Sequence, residues 1–374
     1  MDLSCRPRSG DTHASQLINK LSPLETLPTE LIHKIFLECL EINLPRASLP
    51  IAAALSNETI YTWLIRLAFS SDNDGSRKGF FTHAFLPLDF YSLNSVQRAN
   101  LQTTILECRW CTLPLMRKCQ IQYLEHAIKH SCNNLTFSPE DRAKLDNLEA
   151  TRDGIRNLDQ GVEGYKGKAD LTITATKPDN PVPPGPPSTT TSTTTSKKTN
   201  AIVEIWFNFG TLLIRSPAPL HYENDSFRLP SCSLTEPCRI PDKLLTAPWT
   251  PEKLEFLSLL STKAYIDEDS TFSRSKMVLR QVIKDREHEA FEKLLKMYIR
   301  IKVYRYPMKW PTKVNHFRAA LRWADAENDP FVETLLVSRW QDLPKEQVSL
   351  RSKMVKHVRK VEFLESMRWA GGLS

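Results

Sequence analysis

Residues 24–44 read LETLPTELIHKIFLECLEINL, and the periodicity of this stretch decides how the rest of the chain is read. Taken as a helix from Pro28 to about Leu40, it gathers Leu31, Ile32, Ile35, Phe36, Cys39 and Leu40 within one half of the circumference. Thr29, Glu30, His33, Lys34 and Glu38 fall largely on the other half, with Leu37 the one large apolar residue outside the stripe. Pro28 suits a first helical position, where its fixed φ helps and its missing N–H costs nothing. Glu30 near that start complements the helix dipole. Upstream, Ser22-Pro23-Leu24-Glu25 has capping-box spacing and is expected to shape the turn into the helix.

Pro45 and Pro50 break the chain after this helix, so a second run restarts at about Ile51. Ile51, Ala54, Leu55, Ile60, Trp63, Leu64 and Leu67 can complete a small packed bundle. The order Leu27-Pro28-x-Glu30-Leu31-x3-Ile35-Phe36-x3-Leu40, followed by a helical run ending in Trp63-Leu64-Ile65, resembles the F-box. The segment NLPRASLPIAAALSNETIYTWLIRLAF is similar to the variant found in fungal F-box proteins. The resemblance covers residues 23–69, and its second half departs from the common pattern.

What the resemblance implies is a three-helix module that docks the Skp adaptor of a cullin–RING (SCF-type) ubiquitin ligase. The contacts it carries over fall on Leu27, Pro28, Leu31, Ile35, Phe36 and Leu40. It implies a non-catalytic receptor serving ubiquitin-dependent degradation, with the remainder of the chain recruiting an unknown protein substrate. An interaction scaffold with a degenerate F-box is the first alternative. A zinc- or nucleic-acid-binding regulator is the second.

Composition sets the outer limits. Hydrophobic content of 41% and charged content of 25% over 374 residues suit a globular chain with a sizeable core. Eleven glycines against 25 prolines argue against glycine-rich nucleotide loops and for many helix boundaries. A net charge of +7 is mild on this length and does not call for nucleic acid. With no apolar leader near Met1 and no membrane-length apolar run, the expected location is intracellular, in cytoplasm or nucleus. The eight cysteines are then expected as thiols.

The expected fold is mainly α with a small β element, an F-box-like module in front and a helical C-terminal region behind. Residues 1–20 are expected to be disordered, 21–70 to form the F-box-like domain and 80–135 a helical associated region. Within the last, residues 95–130 read as two helices separated by Cys111-Thr112-Leu113-Pro114, the second carrying Leu115, Cys119, Tyr123, His126 or Ala127, and His130 on one face. Residues 138–247 form a mixed region with strands at 164–177 and 200–215, where Leu171, Ile173 and Ala175 alternate with polar neighbours. Between the strands, 178–200 reads PDNPVPPGPPSTTTSTTTSKKTN, a composition that buries no core. Because strands flank it, an enlarged loop within one sheet is favoured over an interdomain linker.

From residue 248 to 374 the chain reads as helical and repeat-like. A helix with Val278, Leu279 and Ile283, a break at 285–288 and a helix ending in Leu294-Leu295 recur about 41 residues later as Leu321, a break at 328–330 and Leu335-Leu336. The pairs resemble ankyrin helix pairs, without the Thr-Pro-Leu-His opening and at a longer period. Residues 345–369 read as a further helix with a basic face.

Two patterns compete with docking. Cys108-x2-Cys111 followed by His126-x3-His130 has zinc-ligand spacing, but the interval lacks a finger-like apolar pattern and no β-hairpin precedes it. Residues 296–313 interleave bases with Tyr298, Tyr304, Tyr306 and Trp310, a composition able to stack on nucleic acid and equally able to pack between helices. No nucleophile elbow, Walker loop or dinucleotide fingerprint occurs. The expectation is no enzyme, no cofactor, no metal and no membrane, with nucleic acid disfavoured.

Overall fold

The computed structural model describes residues 22–71, 93–158, 167–177, 199–215, 225–268, 273–302, 306–325 and 327–357. The expected disordered start, most of 178–200, Tyr304 and the part of the last helix beyond 357 lie outside them. The described residues are mainly helical, with two small sheets. The chain divides into two compact units, Met1–Asn57 and Glu58–Ser374, so the boundary falls inside the stretch that resembles an F-box.

In the first unit, Ser22 and Glu25 form a reciprocal turn: Ser22 N–H donates to Glu25 Oε2 at 2.5 Å and Glu25 N–H to Ser22 Oγ at 3.4 Å. The Ser22 N–H, followed by the Ser48 and Ser22 hydroxyls, holds the Glu25 carboxyl below its usual range. Helix α1 (Thr29–Cys39) follows. Pro28 stands one residue before it, as the N-cap, and its carbonyl accepts from Leu31 and Ile32 N–H at 3.0 and 3.1 Å. Leu40 ends α1 in the left-handed region at φ 49°, its N–H closing on the Phe36 carbonyl at 2.8 Å. A 3₁₀ turn (Leu44–Arg46) leads to α2 (Leu49–Leu55), which Ser48 caps through Ile51 N–H at 3.4 Å. The two helices pack together, and His33 Nε2 meets the Ala54 carbonyl at 2.8 Å.

The second unit begins with α3 (Glu58–Phe69), whose Ile60, Leu64, Ile65, Leu67, Ala68 and Phe69 are all buried. Helices α4 (Ser95–Glu107) and α5 (Leu113–Ser131) pack on it and are joined, as expected, through Cys111-Thr112. Asn94 and Gln97 form a capping box at the start of α4. On α5 the buried set is Leu113, Met116, Cys119, Gln120, Ile121, Tyr123, Leu124, Ala127 and Ile128. His130 therefore lies off the core face and Leu115 at its margin. Two short helices follow, α6 (Pro139–Asp146) and α7 (Leu148–Gly154).

The four-stranded sheet runs β1 (Leu171–Lys177), β2 (Thr199–Trp206), β3 (Thr211–Arg215), β4 (Asp225–Arg228), each antiparallel to the next. Lys177 pairs with Thr199, so the strands on either side of 178–198 are hydrogen-bonded neighbours in one sheet, while 178–198 lies outside the described residues. Strand β1 is shorter than expected, beginning at Leu171, and Ile173 and Ala175 face inward in the predicted alternation. Residues 207–210 turn β2 into β3, with Gly210 at φ 54°.

The C-terminal part contains α8 (Pro251–Ser261), α9 (Arg274–Lys284), α10 (His288–Lys296), α11 (Val314–Arg322), α12 (Pro330–Arg339) and α13 (Val348–His357). A purely helical region is corrected here: β5 (Tyr265–Ile266), β6 (Tyr298–Ile301) and β7 (Met308–Lys309) form a second sheet. β6 and β7 fall in the run read from its basic and aromatic composition. Ile299, Arg300 and Ile301 are all buried, so β6 carries no alternation to read. The two helix hairpins stack, α9 against α11 and α10 against α12. No helix among the described residues is long and apolar enough to cross a membrane.

Candidate functional site: the outer strip of helix α1

The apolar residues of α1 divide between two faces. Ile32, Phe36 and Leu37 are buried, at 3%, 1% and 2% exposure. Leu31 and Ile35 stand out at 46% and 38%, in line with the exposed Pro28 and Cys39. Leu27 and Leu40 are half-buried.

This corrects the expected stripe. The apolar arc of α1 is wider than the face the fold uses, and the helix is rotated so that Leu37 enters the core while Leu31 and Ile35 leave it. Of the six residues carried over by resemblance, Phe36 is a core residue. Pro28, Leu31 and Ile35, at positions i, i+3 and i+7, line one exposed strip. Glu30, Lys34 and Glu38 border it on the polar side. An apolar line with a charged margin, on a helix fixed by its core face and by His33, suits helix docking.

The fold does not bring three of Cys108, Cys111, His126 and His130 together. Among the described residues, which include all four candidates, no three His, Cys, Asp or Glu side chains are disposed to hold a metal ion. Cys108 caps α4, its thiol turned back to the Thr104 carbonyl at 3.3 Å. Cys111 is buried, and burial pushes its thiol up to about 12. Lys243 Nζ donates to the Cys111 carbonyl at 2.9 Å, so this bend is closed by an ammonium. Trp110 stacks on Tyr61, ring centroids 4.3 Å apart. His126 and His130 lie against each other on the outer side of α5, centroids 4.4 Å apart.

The basic aromatic run likewise spends its rings on packing. Trp310 is fully buried, with Nε1 donating to the Ser275 carbonyl at 3.0 Å. Lys309 lies over Tyr298 at 6.0 Å, and Tyr306 alone among the described rings of the run is broadly exposed.

Two grooves appear that no motif announced. One, about 390 Å³, lies between α10 and α12, with His288, Glu292, Leu295, Thr334 and Val337 in its walls. The other, about 820 Å³, lies between α11 and α13 and gathers Arg318, Arg322, Lys353, Lys356 and His357 around a single carboxylate, Glu327. A further pair of thiols, Cys232 and Cys238, sits in the loop after β4. The two grooves depend on tertiary approach, which spacing alone does not report, whereas the thiols share one local turn.

Compared with known proteins, the chain matches no family model, no curated protein and no solved structure.

Proposed function

We propose that this chain is a non-catalytic substrate receptor of an SCF-type ubiquitin ligase, docking the Skp adaptor through α1 and a protein substrate through the second unit. The observation that carries the reading is the exposure of Leu31 and Ile35 on the helix whose Leu-Pro-x-Glu-Leu motif resembles the F-box. Apolar side chains at i and i+4, held outward while their neighbours anchor the helix, serve a partner better than they serve the free chain. The groove between α10 and α12 and the one between α11 and α13 offer surfaces of the second unit for a substrate.

The test is co-purification with recombinant Skp adaptor. The wild-type chain captures it, and Leu31→Asp with Ile35→Asp abolishes capture. Val348→Asp, at a more exposed apolar position far along the chain, leaves it intact. A wild-type chain that captures no adaptor, or a charged double variant that still does, overturns the proposal. The first of these outcomes leaves an interaction scaffold with a degenerate F-box.

A further inference from the structure

The connection from β4 to α8 contains the sequence Cys232-Ser-Leu-Thr-Glu-Pro-Cys238. Its two sulfur atoms lie 3.6 Å apart, in hydrogen-bonding contact, and both are free thiols. The approach is built into the backbone. Ser233 Oγ accepts from the N–H groups of Thr235 and Glu236 at 3.3 and 3.1 Å, which folds the intervening residues into a tight turn. On the Cys232 side, Ser231 N–H donates to the Phe69 carbonyl at 2.7 Å, and Gln102 Nε2 donates to the Ser231 carbonyl at 2.9 Å. On the Cys238 side, Tyr265 N–H donates to the Cys238 carbonyl at 2.9 Å, and Arg239 N–H donates to Thr103 Oγ1 at 3.0 Å.

The two thiols are not equivalent. Cys238 is fully buried, while the residue Cys232 keeps partial exposure. Lys263, Arg98 and Arg300 act on Cys232, and Arg228 faces it from the end of β4. Arg300 is held in place by donating to the Leu234 carbonyl inside the loop. The hydrogen bond from Cys238 and these cations favour the Cys232 thiolate and lower its pKa; the same contact and burial raise that of Cys238. Burial, with the crowding of Arg228 and Arg300 added to it, brings Lys263 down to about 8. An anion at Cys232 relieves that crowding.

We propose that Cys232 and Cys238 form a peroxide-sensitive dithiol, with Cys232 the attacking and Cys238 the resolving residue. The Cys232 thiolate attacks one oxygen of hydrogen peroxide. The O–O bond breaks, Cys232 becomes the sulfenic acid, and the departing hydroxide takes a proton to leave as water. Cys238 sulfur then attacks the Cys232 sulfur, an S–S bond forms and the S–O bond breaks. The hydroxide released takes the Cys238 proton. Two thiols and one peroxide give one disulfide and two waters. The site stands independently of the adaptor-docking reading, since it involves no residue of α1.

The experiment treats the purified full-length chain with equimolar hydrogen peroxide, alkylates the remaining thiols and maps them by peptide mass. The expected result is a loss of two thiols, confined to a Cys232–Cys238 linked peptide, and full recovery with dithiothreitol. In Cys238→Ser, a near-isosteric change, Cys232 is trapped as a dimedone adduct. In Cys232→Ser, Cys238 stays reduced. The proposal is overturned if Cys232 and Cys238 remain alkylatable while the exposed Cys39 is oxidised. It is equally overturned if Cys238→Ser gives no adduct at Cys232, or if the bridge resists dithiothreitol in the folded protein.

Discussion

Arg286 and Asp329 join the two helix hairpins at their turns: Nη2 of the arginine meets Oδ2 of the aspartate at 2.5 Å. Arg286 occupies the left-handed position after α9 at φ 61°, and its guanidinium also lies over the Phe331 ring at 4.6 Å. Asp329 is buried, and its other oxygen caps α12 through Phe331 and Val332 N–H at 3.0 and 3.4 Å. One carboxylate thus ends a helix and ties it to the preceding hairpin. Asp329→Ala removes a cap worth about 1 kcal/mol and a charged hydrogen bond worth about 1.5–3 kcal/mol. Urea unfolding is expected to show a loss of about 3 kcal/mol. Asp329→Asn, which keeps the cap, is expected to lose about half as much.

Phe36 and Leu31 sit five residues apart on one helix and are expected to respond oppositely. Phe36→Ala empties a core position at 1% exposure and costs about 3–5 kcal/mol. Leu31→Ala, at 46% exposure, costs under about 1 kcal/mol in the free chain. If α1 docks the adaptor as proposed, the order is expected to reverse, with Leu31→Ala and Ile35→Ala together weakening capture by about tenfold to a hundredfold. Thermal melts beside titration calorimetry separate the two effects.

Gly210 stands where no other residue fits. At φ 54° its backbone suits glycine, and an added Cβ would lie 2.7 Å from Gln120 Cγ and closer still to the Leu229 carbonyl. Gln120 cannot step aside, because its Nε2 donates to that carbonyl at 2.9 Å while Oε1 accepts from Arg117 at 2.8 Å. Gly210→Ala is expected to cost about 2–4 kcal/mol, combining the left-handed penalty with overpacking. Denaturant melts read the loss directly.

How far the sequence carried the fold depends on whether the signal was local. Helices α4 and α5 and the alternation of β1 were legible because periodicity and burial agree there. The α1 face was misread by part of a turn. A wide apolar arc contains both a core face and an exposed face, and only burial in the fold distinguishes Leu37 from Ile35. Strands β6 and β7 escaped because four- and two-residue strands hold no measurable period. The basic groove arises from chain folding, and no single stretch encodes it; the Cys232–Cys238 turn is local, but that spacing by itself matches no metal or redox motif.

The pairing of Lys177 with Thr199 makes a prediction about the long connection between them. A protease cut near Thr191 leaves β1 and β2 hydrogen-bonded along their length, so the nicked chain is expected to elute as one species in native gel filtration. Replacing 178–198 with a four-residue turn reduces loop-closure entropy and is expected to stabilise the protein by about 1 kcal/mol. Separation of the fragments under native conditions contradicts the pairing.

His316 sets the acid limit of the C-terminal region. It is 2% exposed, accepts from Lys313 N–H at Nδ1 (3.0 Å) and donates from Nε2 to the Lys276 carbonyl at 2.9 Å. That arrangement requires the neutral ring. A proton on Nδ1 would face the Lys313 N–H, among the cations Lys276, Arg280 and Lys313. Burial and those charges lower its pKa beneath the ordinary 6.5. Below about pH 6.5 the unfolded chain therefore binds a proton that the folded one refuses, so stability falls as pH drops through that value and is retained above it. His316→Gln, with the side-chain oxygen turned to the Lys313 N–H and the amide to Lys276, keeps both bonds without a titrating group. Urea unfolding from pH 7.5 to 5.0 is expected to show a steeper loss for the wild type than for His316→Gln. Parallel slopes would place the acid sensitivity elsewhere.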